Sequence, residues 1–176
     1  MLNRVVVTGL GALTPLGLNV QDFWTKIING ESGAANITSF NAEKFKTKFA
    51  CELKNFNAEE YIDRKELRKI DLFSAYALIA AEEAIKDCDL NLNEVNLDDC
   101  GVIWGSGVGG LKTMIQEIGS FVKGGENPRF SPFFIPKMIS DIAAGLISIK
   151  YSFKGPNFAT VSACASSTHS IIDAYN

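Results

Sequence analysis

Three valines in succession, Val5-Val6-Val7, closed by Thr8-Gly9, make residues 4–8 read as a strand buried on both faces. Val20, Phe23, Trp24, Ile27 and Ile28 then recur at helical spacing behind Asn19, a capping residue, and ahead of Gly30, a stop. Between residues 45 and 53 the apolar positions alternate (Phe45, Phe49, Cys51, Leu53), as in a half-exposed strand or hairpin arm. Residues 71–87 predict a long helix with Phe73, Ala77, Ala80, Ala81, Ala84 and Ile85 on its apolar side. Its many alanines imply close packing against another helix or a sheet. Residues 100–105 predict a second buried strand, 111–122 a helix, 139–149 a helix introduced by Pro136, and 157–163 a further strand. Short apolar runs alternating with helical patterns give an α/β layered domain with a mostly buried sheet. No repeat or low-complexity linker divides the chain, and residues 124–128 are its most loop-like stretch.

The length of 176 residues fits one domain with a sizeable core, and 47% hydrophobic with 21% charged residues is the balance of a globular protein. A net charge of −3 points neither to nucleic acid nor to an anionic membrane. Apolar stretches such as 75–81 are cut by Glu82-Glu83, well short of the ~20 residues of a membrane span. The N-terminus lacks the pattern of a secretory signal, so a cytoplasmic protein is expected. Cys51, Cys88, Cys100 and Cys164 show no C-x-x-C spacing, and with a single histidine, His169, no metal site is expected. The first three of these cysteines are read as small core or half-buried residues.

Cys164 differs in its setting. The peptide Thr160-Val161-Ser162-Ala163-Cys164-Ala165-Ser166-Ser167-Thr168-His169 puts it where an apolar strand turns into a helix. Backbone N–H groups at a helix start are unpaired and partially positive, so they stabilise a thiolate or a developing oxyanion. Set against this is a buried structural cysteine at a strand end, the fate of most intracellular cysteines. His169 invites a Cys-His dyad, but five helical residues put it roughly 140° around from Cys164, which suits a packed or hydrogen-bonded role better. Gly105-Ser106-Gly107-Val108-Gly109-Gly110 satisfies G-x-G-x-x-G literally, yet the strand with an acidic end that a dinucleotide fold needs does not follow. Phe130-Ser131-Pro132-Phe133-Phe134-Ile135-Pro136 reads as a rigid packed loop, and Arg64-Lys65-Glu66-Leu67-Arg68-Lys69 as a solvated basic face.

With Lys154-Gly155-Pro156 before it, the Cys164 peptide resembles the nucleophile elbow of the beta-ketoacyl-acyl-carrier-protein synthases of the thiolase superfamily. Arg4 to Gly11 with Thr14-Pro15-Leu16-Gly17, Arg64-Lys65 to Asp71-Leu72-Phe73, the Gly105 to Gly110 loop and Ser131 to Pro136 match the same family in order, and its elongating branch, synthase II-like, more than its initiating one. The resemblance implies a thiolase-like fold of which residues 1–176 form the N-terminal part of the layered αβαβα architecture, an incomplete domain whose C-terminal half is absent. It also implies that Cys164 accepts the acyl group, that malonyl carrier loses carbon dioxide, and that the carbanion condenses with the Cys164 thioester in fatty acid elongation. Two histidines, a lysine and a Gly-rich loop would come from the second half, so the isolated chain is expected to be inactive. Val108 and Phe133 would shape the acyl pocket, and Lys65, Arg68, Lys69 and Arg129 would dock an acidic acyl carrier protein. A homodimer is implied, and no dissociable cofactor, since substrates arrive on the carrier's phosphopantetheine. A polyketide-type ketosynthase, a non-catalytic carrier-binding or dimerising fragment, and a nucleotide-binding oxidoreductase built on residues 105–110 are the competing readings.

Overall fold

A computed structural model describes residues 4–127 and 129–176. The chain forms two compact units, one of residues 1–6, 58–78 and 90–176, the other of residues 7–57 and 79–89. In chain order the elements are α1 (Val20–Ile28), β1 (Ala35–Asn36), β2 (Phe49–Ala50), α2 (Arg64–Leu67), α3 (Leu72–Asp87), β3 (Val102–Gly105), α4 (Leu111–Lys123), α5 (Phe134–Met138), α6 (Ile142–Tyr151), β4 (Asn157–Thr160) and α7 (Ser166–Tyr175), with single 3-10 turns at Ala58–Glu60 and Ala163–Ala165.

In the smaller unit, α1 starts where its cap directs: the Asn19 side chain accepts from the Asp22 N–H at 2.7 Å, an interaction worth about 1 kcal/mol. Gly30 closes the helix with φ +71°. The second half of α3, from Ile79, anchors what precedes α1. Glu83 accepts from the Ala12 and Val20 N–H groups, each at 2.8 Å, and Asp87 accepts from Leu10 N–H at 2.8 Å. Gly9 and Gly11 lie so close to the Ala84 and Ala80 carbonyls that a Cβ at either would collide with backbone. The alanines of α3 are thus the floor on which residues 9–12 run.

The expected alternation over 45–53 condenses to a two-residue ladder, β1 antiparallel to β2 with Ala35 opposite Ala50. Beside it, the Glu52 carboxylate accepts from the Ser39 hydroxyl (2.5 Å) and from the N–H and hydroxyl of Thr38 (2.9 and 2.8 Å). Those bonds, led by the one from Ser39, hold its pKa down at about 2 against a reference of 4.5. A depressed carboxylate favours the folded state above the unfolded pKa and stops doing so as pH falls through the folded one. The clamp on Thr38 and Ser39 is therefore expected to persist through pH 4.5 and to loosen only near pH 2. Carboxyl carbon NMR titration of Glu52 checks this, and a midpoint near 4.5 contradicts it.

In the larger unit β3 and β4 pair in parallel, Val102 opposite Asn157 through Gly105 opposite Thr160. Helices α6 and α7 both pack on this two-stranded sheet. Asn157 ties β4 to α6, its side-chain amide donating to the Ala144 carbonyl at 3.0 Å and to the Ser148 hydroxyl. Ala143, Ala144 and Ile147 of α6, with Ala75, Ala77 and Leu78 of α3, are buried. Residues 74–79 are buried apart from half-buried Tyr76, so this part of α3 is enclosed nearly all round rather than along the one stripe read from the sequence. Ser74 is wholly buried with no partner for its hydroxyl among the described residues. Ser74→Ala is expected to raise stability by about 1 kcal/mol, read as a higher urea midpoint; a loss of that size would reveal a hydrogen bond.

Three boundaries differ from the sequence expectation. Residues 4–8 pair with no strand among the described residues, and Val7 is 80% exposed: a valine run is strand-prone, but a strand exists only where a neighbour supplies the ladder. The helix expected over 139–149 is α6, shifted to Ile142–Tyr151, and a separate short helix, α5, precedes it. Pro136 lies in the first turn of α5, where its missing N–H costs nothing, so a helix forms ahead of the expected start; Ile139 is extended, and α6 begins at Ile142. The last strand stops at Thr160 rather than residue 163, because the backbone turns out of the sheet at Ser162 and Ala163. Cys51 is also exposed, whereas Cys88 and Cys100 are half-buried as expected. No helix among the described residues is long and apolar enough to cross a membrane.

Candidate active site

Beyond β4 the chain passes Val161 and Ser162, turns through Ala163–Ala165 and enters α7, which leaves Cys164 exposed at the bend. The bend is sharp because Ala163 adopts φ +49°, a left-handed conformation that costs an ordinary residue roughly 1–2 kcal/mol. Neighbouring bonds hold it there. The buried Ser166 hydroxyl donates to the Ala163 carbonyl (2.7 Å) and accepts from the Ser162 N–H (2.8 Å), and the Thr160 hydroxyl donates to the Ser166 carbonyl (2.7 Å). Ala165 N–H donates to the Ser162 carbonyl at 3.0 Å, whereas the Cys164 N–H has no partner among the described residues. A thiol and a free N–H on one exposed residue ahead of a ten-residue helix are what a nucleophile and an oxyanion donor require.

Ser162 and His169 also meet, Oγ to Nδ1 at 2.6 Å. The imidazole is thereby engaged with a hydroxyl on the elbow, in line with the helical offset that set it apart from Cys164.

The glycine loop after β3 lies against this bend. The ladder extends one residue through Ser106 N–H to the Thr160 carbonyl (3.3 Å). A Cβ on Gly105 would fall 2.6 Å from the Cα and N of Ser167, and one on Gly107 would fall 3.3 Å from the Ala163 carbonyl oxygen. Farther along, Gly109 takes φ +78° and Gly110 N–H donates to the Met138 carbonyl at the end of α5 (3.0 Å). These glycines therefore let backbone pass close to backbone, which accounts for the G-x-G-x-x-G spacing without a nucleotide. Val108, between them, is 65% exposed.

The aromatic segment divides its work. Phe130 stacks on Phe121 and on Phe134, with centroids at 5.3 and 5.7 Å, so these rings serve packing. Phe133 caps α5, its N–H bonded to the Ser131 hydroxyl at 3.2 Å, and remains exposed. The structure thus brings the Val108 loop to the Cys164 bend and joins that loop to α5, at whose head Phe133 stands.

The basic segment is α2, capped by Asp63, whose carboxylate accepts from the Lys65 N–H at 2.7 Å. Lys65, Arg68 and Lys69 are exposed. Lys69 is paired with Glu66 at 2.7 Å; Lys65 and Arg68 have no ion pair among the described residues. Arg129 is exposed on the segment after α4. A cleft of about 390 Å³ adjoins α2, lined by Leu67, Ile70, Asp71, Lys112, Thr113 and Lys137 among others. At its edge Asp71 accepts from both the N–H (3.2 Å) and the hydroxyl (2.5 Å) of Thr113, while its other oxygen takes the Phe73 N–H. Asp71 thus heads α3 and fastens the first turn of α4, which follows the glycine loop. The sequence offered Asp71 only as a helix start; a bond spanning 42 residues leaves no local signal.

The sequence pattern of the family described as "Beta-ketoacyl synthase, N-terminal domain" matches residues 2–176. The 3-oxoacyl-[acyl-carrier-protein] synthase 2 of Staphylococcus aureus (strain COL) is 47% identical over 173 residues, covering 98% of this chain and 41% of that protein. The namesake from Synechocystis is 44% identical over 172 residues, again 98% of this chain and 41% of the relative. Among solved structures, a beta-ketoacyl synthase from Burkholderia phymatum superposes with TM-score 0.79 at 26% identity over 98% of this chain and 42% of its own. A type II PKS acyl-carrier protein in complex with its ketosynthase bound to the hexaketide matches with TM-score 0.78 at 25% identity, over 96% of this chain and 44% of that one. The fold is therefore thiolase-like α/β, and the chain spans about two fifths of the length of the curated relatives it matches.

Proposed function

The chain belongs to the beta-ketoacyl synthase family, and from that premise we propose that Cys164 is the acyl-accepting thiol of a carrier-dependent condensing enzyme of fatty acid elongation, with residues 1–176 as its N-terminal part. The observation that carries the reading is the bend itself: an exposed thiol beside its own unpartnered N–H, held by a positive φ at Ala163. The Cys164 thiolate attacks the carbonyl carbon of an acyl-carrier thioester. The Cys164 N–H stabilises the tetrahedral oxyanion, which collapses to expel the carrier's phosphopantetheine thiolate. A malonyl carrier thioester then loses carbon dioxide to form an enolate. Its carbon attacks the Cys164 thioester, displacing the thiolate and leaving a carrier-bound 3-ketoacyl chain longer by two carbons. The groups that drive decarboxylation belong to a second half of the enzyme, and no dissociable organic cofactor takes part.

Val108 and Phe133 line the acyl path in this reading, supported by the loop contacts that tie both segments toward the bend. The apolar positions Leu111, Ile115, Ile118 and Val122 of α4, exposed at helical spacing, support a homodimer that covers them. The enzyme acts in the cytoplasm, and its protein partner is an acidic acyl carrier. Identity of 44–47% to the synthase 2 relatives favours elongation over the polyketide alternative, whose structural neighbour stands at 25%. Supplying the full-length protein with acyl and malonyl carriers tests this: a 3-ketoacyl carrier product supports it, and carbon dioxide release without chain extension contradicts it.

Carrier docking falls to the exposed cations of α2 and to Arg129. Lys65→Glu and Arg68→Glu are each expected to raise the KM for acyl carrier roughly tenfold, with kcat little changed and with weaker salt dependence than the native protein. Lys69, already paired with Glu66, should matter less. Equal KM values across 50–300 mM salt, an interval chosen to shrink the screening length by about half or more, would exclude the assignment.

A further inference from the structure

We propose that Ser166 is the positioning residue for Cys164, a role that rests on the reading of Cys164 as nucleophile. A serine that caps a helix turns its oxygen forward, accepting from N–H groups of the first turn, but the cap of α7 is Ala165 and Ser166 stands one place inside. Ser166 does the reverse. Its hydroxyl reaches back to accept the Ser162 N–H at 2.8 Å and to donate to the Ala163 carbonyl at 2.7 Å. Its own carbonyl takes the Thr160 hydroxyl at 2.7 Å, and the residue is 3% exposed. The peptides on the N-terminal side of Cys164 are thus fastened to the residue two places after it, so the clamp brackets the thiol.

Only a group that donates and accepts at once closes this clamp, since it faces one carbonyl and one N–H. Alanine does neither; threonine keeps both functions. The contact between Ser162 Oγ and His169 Nδ1 lies on the exposed side and leaves the buried bonds untouched. Ser166 sets two directions together: that of the Cys164 side chain, and that of the Cys164 N–H that receives the oxyanion. Acyl transfer needs both aligned, whereas simple alkylation by iodoacetamide needs only an accessible thiol.

The test uses full-length native, Ser166→Ala, Ser166→Thr and Thr160→Val proteins, compared by circular dichroism and thermal midpoint. Steady-state acyl transfer from acyl carrier is measured beside the rate of iodoacetamide alkylation at the Cys164 peptide. Ser166→Ala is expected to lower kcat roughly 10- to 100-fold at unchanged KM, with the alkylation rate held within a few-fold, and Ser166→Thr to recover most of the loss. Thr160→Val, which removes the anchor on the Ser166 carbonyl, should show a smaller fall of the same kind and carries the test if Ser166→Ala does not fold. A native-like kcat in the folded variants, or a parallel fall in acyl transfer and alkylation, overturns the positioning role while leaving Cys164 as nucleophile. A native protein that never acylates Cys164 overturns the functional reading, and this role with it.

Discussion

Cys164→Ala is expected to abolish acyl transfer and condensation in the full-length protein, a loss of roughly a thousandfold or more in kcat, while leaving the protein folded. The thiol is exposed at a bend, so its removal opens no core cavity and breaks no buried hydrogen bond. Ser166 cannot replace it, being buried with both hydroxyl functions used, and Ser162, paired with His169, is the hydroxyl to which any retained turnover would be traced. Cys164→Ser should also be strongly impaired, because an alkoxide is far harder to form and to expel from an ester than a thiolate from a thioester. Carrier-dependent product formation, normalised to folded protein by circular dichroism, measures the effect. Retention of even a tenth of native turnover by Cys164→Ala would remove the cysteine from the mechanism.

Gly105→Ala is expected to be a strongly damaging conservative change at the bend itself. Its Cβ would sit 2.6 Å from both the Cα and the N of Ser167 and 2.7 Å from the carbonyl carbon of Ser166. All three are backbone atoms of the first turn of α7, so relief requires that turn to move off β3, and the Ser166 clamp moves with it. A stability loss of about 3 kcal/mol is expected, visible as a lower urea midpoint, together with a fall in acyl transfer beyond what the unfolded fraction explains. Gly119→Ala is the matched control: it lies within α4 with nothing in reach of an added Cβ, and is expected to stabilise by about 0.5–1 kcal/mol. Equal effects of the two substitutions would refute the close approach of β3 to α7.

The same contrast between local and distant determinants runs through what the sequence reveals. Helix α1 is legible to the residue at its start, because the Asn19 cap and the 3.6-residue period are local. So is the cysteine bend, whose small residues and strand-to-helix change sit within ten positions. The Val5-Val6-Val7 run carries the same local propensity as Val102-Ile103-Trp104, yet only the latter forms a strand, since β4 is there to pair with it. Pro136 looks like a boundary in one dimension and proves to be part of a first turn. The Ser166 clamp and the Asp71 bonds to Thr113 come from which atoms meet after folding. A serine among Ala165, Ser167 and Thr168 gives no sign of which hydroxyl is buried.

Locating the acyl group tests the central claim most directly. The full-length protein is incubated with acyl carrier in the absence of malonyl carrier, so that the chain loads but cannot be extended, then digested and sequenced by mass spectrometry. An acyl mass on the peptide containing Cys164, discharged by hydroxylamine as a thioester, is the expected result. An adduct on Cys51, Cys88 or Cys100 instead, or an unmodified Cys164 in a protein that forms 3-ketoacyl product once malonyl carrier is added, contradicts the account.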